Sequence, residues 1–150
     1  PQGSGLDGPA AWTVEVIHQG MGKGACDMSG KGAVFERLCR DVLRDAGWFV
    51  VKVSDGSDAD LVAIRSEGTV DSSVVLLCEA KSGQQVCRPE QWNRLVDLAW
   101  SLGASPILAD KVPGIAAPRF WLMTGPKSGK RGEPQPRVMF DIDGWREDVA

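Results

Sequence analysis

Residues 73–81, Ser-Val-Val-Leu-Leu-Cys-Glu-Ala-Lys, constrain this chain more than any other stretch. The apolar run Val74 to Leu77 reads as a buried strand, and Glu79 and Lys81 close it. On a strand, side chains two apart share a face, so Glu79 and Lys81 point one way and Ala80 the other. Charges at the end of a buried strand are costly unless they pair or hold a metal. A plain salt bridge at a strand end meets that requirement as well as a functional site does.

The flanking pattern gives the strand its context. Phe35, Leu38, Cys39, Val42, Leu43 and Ala46 follow helical spacing, and Gly47 stops the helix. Strands are predicted over Trp48–Val53, Asp60–Arg65 and Ser73–Glu79, joined by turns at Ser54–Ala59 and around Gly68. Pro89 opens a second helix, with Trp92, Leu95, Val96 and Ala99 on one apolar face, ending at Gly103. Pro106–Ala109 and Arg119–Met123 read as further strands. A polar loop, Gly125 to Pro136, leads to a last strand over Arg137–Ile142. That order implies an α/β fold, a mixed β-sheet flanked by helices. Residues 1–28 read as a flexible N-terminal extension with strand-like alternation at 12–18, and 29–150 as one domain.

A chain of 150 residues, 43% of them apolar, suits one domain with a real core. No run is long and apolar enough to span a membrane, and no basic-then-apolar leader opens the sequence. Cys26, Cys39, Cys78 and Cys87 form no Cys-x-x-Cys pair, so free thiols in a reducing, cytoplasmic setting are expected. A net charge of −3 argues against a polycation that coats nucleic acid indiscriminately. It leaves room for an acidic metal site flanked by local basic patches. His18 is the one histidine and lies outside the predicted domain, against His-based zinc or triad catalysis. Gly125-Pro126-Lys127-Ser128-Gly129-Lys130 imitates a phosphate loop but lacks the Ser or Thr after its lysine and a following helix.

Asp60 changes the reading of Glu79. It opens the strand that precedes the Glu79 strand, and pairing through the Gly68 turn brings the two carboxylates to one end of the sheet. They would repel unless a cation sat between them. Oxygen ligands with open positions suit Mg²⁺ or Mn²⁺. The bland alternative is an Asp that caps the turn, the role assigned to Asp55 and Asp58. Glu36, at the edge of the first helix's apolar face, is either an acid complementing the helix N-terminus or a further carboxylate for the same site.

In this order the pieces resemble the PD-(D/E)xK nuclease superfamily, and more closely the archaeal-type Holliday junction resolvases. The similar segments are Lys31-Gly32-Ala33-Val34-Phe35-Glu36-Arg37, Ala46-Gly47-Trp48-Phe49-Val50-Val51-Lys52, Gly56-Ser57, Asp60-Leu61-Val62-Ala63, Leu77-Cys78-Glu79-Ala80-Lys81-Ser82 and Arg88-Pro89-Glu90-Gln91. The resemblance covers about Lys31 to Met123. Ala59 replaces a proline common before the acid, and the N-terminal extension and the last strand fall outside the match. The resemblance implies a restriction-endonuclease-like sheet with an αβββαβ core. It also implies Mg²⁺, with Mn²⁺ substituting, on Asp60 and Glu79 with the Ala80 carbonyl, and Glu36 direct or through water. Lys81 would orient the attacking water or stabilise charge, Ser57 would bond a phosphate or water, and Gln91 would contact the scissile backbone or hold Lys81.

Such an enzyme needs DNA-contacting cations. The expected set is Lys31, Arg37, Arg40, Lys52, Arg88, Arg94, Lys127, Lys130 and Arg131, the last three in a loop expected to be a mobile DNA-contacting hairpin. A four-way junction has two-fold symmetry, so a homodimer is expected. Trp92 and Trp100 are expected in the core, with Trp121 or Trp145 at an interface. Two other readings compete: a restriction- or repair-type nuclease acting on duplex or nicked DNA, and a catalytically silent junction-binding protein.

Overall fold

The computed structural model describes residues 30–66, 72–83 and 86–143. The predicted strand at 12–18, the turn around Gly68, Trp145 and the boundary at residue 28 lie outside the described residues. Helix α1 (Lys31–Asp45) buries Phe35, Cys39 and Leu43, one per turn. Gly47, at φ +92°, then reverses the chain, and the Trp48 N–H returns to the Leu43 carbonyl. An L side chain at that φ would be strained, which makes glycine the residue that ends this helix.

Six strands follow: β1 (Phe49–Lys52), β2 (Leu61–Ser66), β3 (Ser73–Lys81), β4 (Ser105–Asp110), β5 (Arg119–Met123) and β6 (Arg137–Met139), with α2 (Pro89–Ser101) between β3 and β4. Their order in the sheet is their order in the chain. Each neighbouring pair is antiparallel except β3 and β4, which α2 joins by a parallel crossover. The α/β mixed sheet flanked by helices is therefore the architecture found.

Strict alternation makes two cores. Val50, Leu61, Ala63, Leu76, Cys78 and Ile107 pack under α1. Leu77, Leu108 and Met123 face the other way, under Trp92, Leu95, Val96 and Ala99 of α2. Helix α2 leaves the β1–β2 part of its face uncovered. Phe49 and Val51 are exposed there, beside the half-buried Val62, Ile64 and Val75.

Three sequence expectations need revision. Strand β3 runs on to Lys81, because Glu79 and Lys81 stand opposite Leu108 and Asp110 of β4. The last strand stops at Met139 instead of Ile142; its chain turns back, and the Ile142 carbonyl accepts from the Trp48 indole at 3.1 Å and from Arg65 Nη1 at 3.0 Å. Trp92 is fully buried, but Trp100 is 55% exposed on the outer side of α2, so it is not a core residue. No helix among the described residues is long and apolar enough to cross a membrane.

Candidate active site

Asp60 is locked at the start of β2 by its own backbone. Its N–H donates to the Cys78 carbonyl at 2.9 Å, and its carbonyl accepts from Val53 N–H at 2.9 Å. Just before it, Ala59 is buried against the α2 core, and the Ser57 hydroxyl donates to the Ala59 carbonyl at 2.5 Å. Ser57 thus shapes the turn that delivers Asp60. The Asp60 carboxylate Oδ2 accepts the Ala80 N–H at 2.8 Å, which aims it at the end of β3.

Glu79 is 4% exposed. Its Oε1 accepts from Gln91 Nε2 at 2.7 Å and lies 3.3 Å from the Lys81 ammonium. Gln91 comes from the first turn of α2, which starts at Pro89. Gln91 therefore holds Glu79, where the sequence pointed to the DNA backbone or Lys81. Burial, and then the charge and hydrogen bond of Asp60, push the Glu79 carboxyl up to about 7, while Lys81 works against them.

The sign of that shift sets a pH dependence. The folded state holds a proton on Glu79 that the unfolded chain has lost above about 4.5. Its contribution to stability is thus full below that value and vanishes as pH rises through about 7. Without divalent ions, urea unfolding is expected to show roughly 3 kcal/mol less stability from this group at pH 8 than at pH 4. Glu79→Gln removes the dependence; a wild-type profile as flat as the variant's contradicts the assignment.

The donor chemistry fits a small divalent cation. Two close carboxyls, one buried, resist sharing negative charge, and an oxygen-seeking ion that keeps several waters relieves them. No group of three His, Cys, Asp or Glu side chains that could hold a metal forms among the described residues. Glu36 explains the shortfall. It pairs with Lys52 at 3.6 Å, and Lys52 shares the α1 face of the sheet with Val50, whereas Glu79 shares the α2 face with Leu77. Burial and then the charge of Asp60 raise the Glu36 carboxyl, so Asp60 acts on it from the end of the sheet. The buried Cys39 and Cys87 thiols are pushed up to about 12 and about 11, chiefly by desolvation, which makes them poor nucleophiles.

The expected DNA-binding cations separate into groups. Arg37, Arg40 and Lys52 line a groove of about 240 Å³ with Glu36, Ala33 and Leu61. Lys31 opens α1, and its side chain is outside the described residues. Arg88 is exposed ahead of α2, and Arg94 pairs with Asp58 at 3.2 Å. Lys130 and Arg131 are exposed in the 125–136 loop. Lys127 is not: its ammonium donates to the Cys87 carbonyl at 3.1 Å and lies over the Trp92 ring. The base of that loop is tied to α2 by Asn93, which bonds both the N–H and the carbonyl of Lys127, and by the Trp92 indole on the Gly125 carbonyl. A Cβ on Gly129 would sit 2.9 Å from Pro89 Cγ, so glycine lets the loop lie against the start of α2. The expected mobile hairpin is fixed at its base.

A second polar cluster lies beside the first. Asp110, opposite Lys81, accepts from Arg119 Nε at 3.0 Å and Nη2 at 2.9 Å, and from the Trp121 indole at 3.1 Å. Arg137 approaches it at 3.7 Å. The sequence carries a signal for Asp110: it is a carboxylate that closes the apolar run Pro106–Ala109.

Comparison with solved structures gives a match to Hjc of Archaeoglobus fulgidus, described as a Holliday junction resolvase from an archaeal hyperthermophile. The two share 26% sequence identity at a TM-score of 0.52, over 75% of this chain and 87% of that one. No family model and no curated protein matches the sequence. The mixed sheet and its helices thus match the fold of that resolvase, in agreement with the resemblance carried by the motifs between Lys31 and Gln91.

Proposed function

We propose that this chain is a metal-dependent, structure-selective DNA endonuclease that makes paired nicks in four-way junctions by phosphodiester hydrolysis. One observation carries the reading: Asp60, Glu79 and Lys81 bring two carboxyls and an ammonium together from neighbouring strands. The fold shared with a resolvase supports it.

Asp60 and Glu79 would hold Mg²⁺, or Mn²⁺ in its place, with the Ala80 carbonyl as a further oxygen. When bound, such an ion neutralises charge on the phosphate and lowers the pKa of the attacking water. The other work falls to the chain itself. The Ala80 N–H fixes the Asp60 carboxylate, and Gln91 fixes that of Glu79, so neither needs to reorganise as charge develops. Lys81 orients the water and places positive charge beside the developing phosphorane. Lys52, held by Glu36, joins Arg37 and Arg40 in a groove that suits the DNA backbone. A two-fold dimer supplies the second active site that paired nicks require, and exposed apolar side chains such as Phe49 and Val51 of β1 are available to bury.

Labelled synthetic four-way junctions, nicked duplex and linear duplex, each incubated with and without Mg²⁺, test this. Symmetric paired nicks in the junction are expected, only with the metal. Degradation of linear duplex at the same rate favours a restriction- or repair-type nuclease. Junction binding without cleavage, with Mg²⁺ present or absent, favours a silent junction-binding protein.

A further inference from the structure

The catalytic group does not end at Lys81. A second cavity, of about 220 Å³, begins there and is lined by Lys81, Cys87, Asp110, Gln135 and Arg137 over a floor that includes Leu108. Its charges do not balance. Two guanidiniums share the Asp110 carboxylate, and Arg119 occupies both of its oxygens. Arg137 is left at 3.7 Å, with no hydrogen bond from its guanidinium to any described residue.

Arg137 is nonetheless held firmly. Its guanidinium lies 4.0 Å from the centre of the Trp121 ring, and the Trp121 indole is itself fixed on Asp110. Its side chain is only 23% exposed. Desolvation and the nearby Arg119 lower its pKa, against Asp110, as expected of a cation short of counter-charge. A guanidinium seated over an aromatic ring, making no hydrogen bond to a described residue and lining a cavity, is preorganised for an oxyanion with two oxygens to offer. The apolar floor beside it suits a deoxyribose.

We propose that Arg137, with Gln135, binds a backbone phosphate of the cleaved strand, next to the scissile one. Asp110, Arg119 and Trp121 are its positioning residues. The assignment rests on the nuclease reading for the identity of the strand, but the anion site itself does not. Lys81 then belongs both to the catalytic group, through Glu79, and to the lining of this cavity, whose space seats the neighbouring phosphate.

The test combines two measurements on the full chain. In the first, binding of a labelled four-way junction by Asp60→Asn protein is followed against salt, with and without Arg137→Gln. Arg137→Gln is expected to weaken binding about tenfold and to reduce the salt slope by about one, as for loss of a single phosphate contact. Arg137→Lys keeps the charge, so the slope is retained while affinity falls with the loss of the fork. In the second, thymidine 3′,5′-bisphosphate is titrated while the Trp121 indole N–H is followed by NMR. The resonance is expected to move in the parent protein and to stay still in Arg137→Gln. Unchanged affinity and slope in Arg137→Gln overturn the proposal. If no variant binds the junction, the bisphosphate alone decides: an Arg137-dependent shift keeps the anion site while the branched-DNA reading falls, and a still resonance ends both. Thermal melting of each variant separates a lost contact from a lost fold.

Discussion

Asp60→Asn is expected to lower four-way-junction cleavage by about 10³-fold or more while junction binding stays near the wild-type level. The substitution keeps the shape of the side chain and an oxygen able to accept the Ala80 N–H, which bonds Asp60 at 2.8 Å. What it removes is one negative charge beside the buried Glu79. That charge is also what helps to push Glu79 up to about 7, so the variant's stability is expected to be less pH-dependent than that of the wild type, and its melting temperature equal or higher. Inactivity combined with greater stability is a signature that unfolding cannot produce. Cleavage within tenfold of wild type would remove Asp60 from the catalytic group, and with it the reason to place a metal there.

Trp92→Ala is expected to cost about 3–5 kcal/mol, the largest effect of any single truncation in the α2 core. Trp92 is fully buried among Leu95, Val96, Ala99 and Leu108. Its indole N–H donates to the Gly125 carbonyl at 2.9 Å, so the side chain fills the core and anchors the 125–136 loop together. Trp92→Phe separates the two roles. It keeps most of the apolar volume and leaves the Gly125 carbonyl without its partner, at about 1–2 kcal/mol. Urea unfolding measures both costs. Because Lys130 and Arg131 ride on that loop, Trp92→Phe is also expected to weaken junction binding at temperatures where it is fully folded. Equal midpoints for the alanine variant and wild type would show that the helix has other means of holding the sheet.

The elements that were legible in the sequence share one property: their own side chains announce the face they bury. Phe35, Cys39 and Leu43 repeat at helical spacing, and Trp92, Leu95, Val96 and Ala99 do the same, so both helices were readable. Helical spacing does not say which side of a sheet a helix will cover. Spacing alone therefore does not say that Glu36 pairs with Lys52 on the α1 side while the charge of Asp60 reaches it from the end of the sheet. Trp100 shows the same limit: aromatic character argued for burial, and the helix turns it outward. Charge alone points Lys127 at DNA, whereas its ammonium donates to the Cys87 carbonyl, 40 residues away in the chain. The Asp110, Arg119 and Arg137 cluster draws on three strands, and their register decides that those three meet. Asp60 and Glu79 were readable because a short connection and a common sheet end leave little freedom in how β2 and β3 pair.

The order of the sheet has a consequence for how the chain reaches this structure. Since the six strands lie side by side in the sequence in which they are made, every ladder can zip from its neighbour without threading past another. Low separation between pairing partners favours rapid folding. The parallel junction of β3 and β4 is the exception, because it closes a loop only after the intervening helix has formed. That closure is expected to limit the folding rate, and truncating Leu77, Leu95 or Leu108, where the helix packs on both strands, is expected to slow it most, as stopped-flow refolding would show.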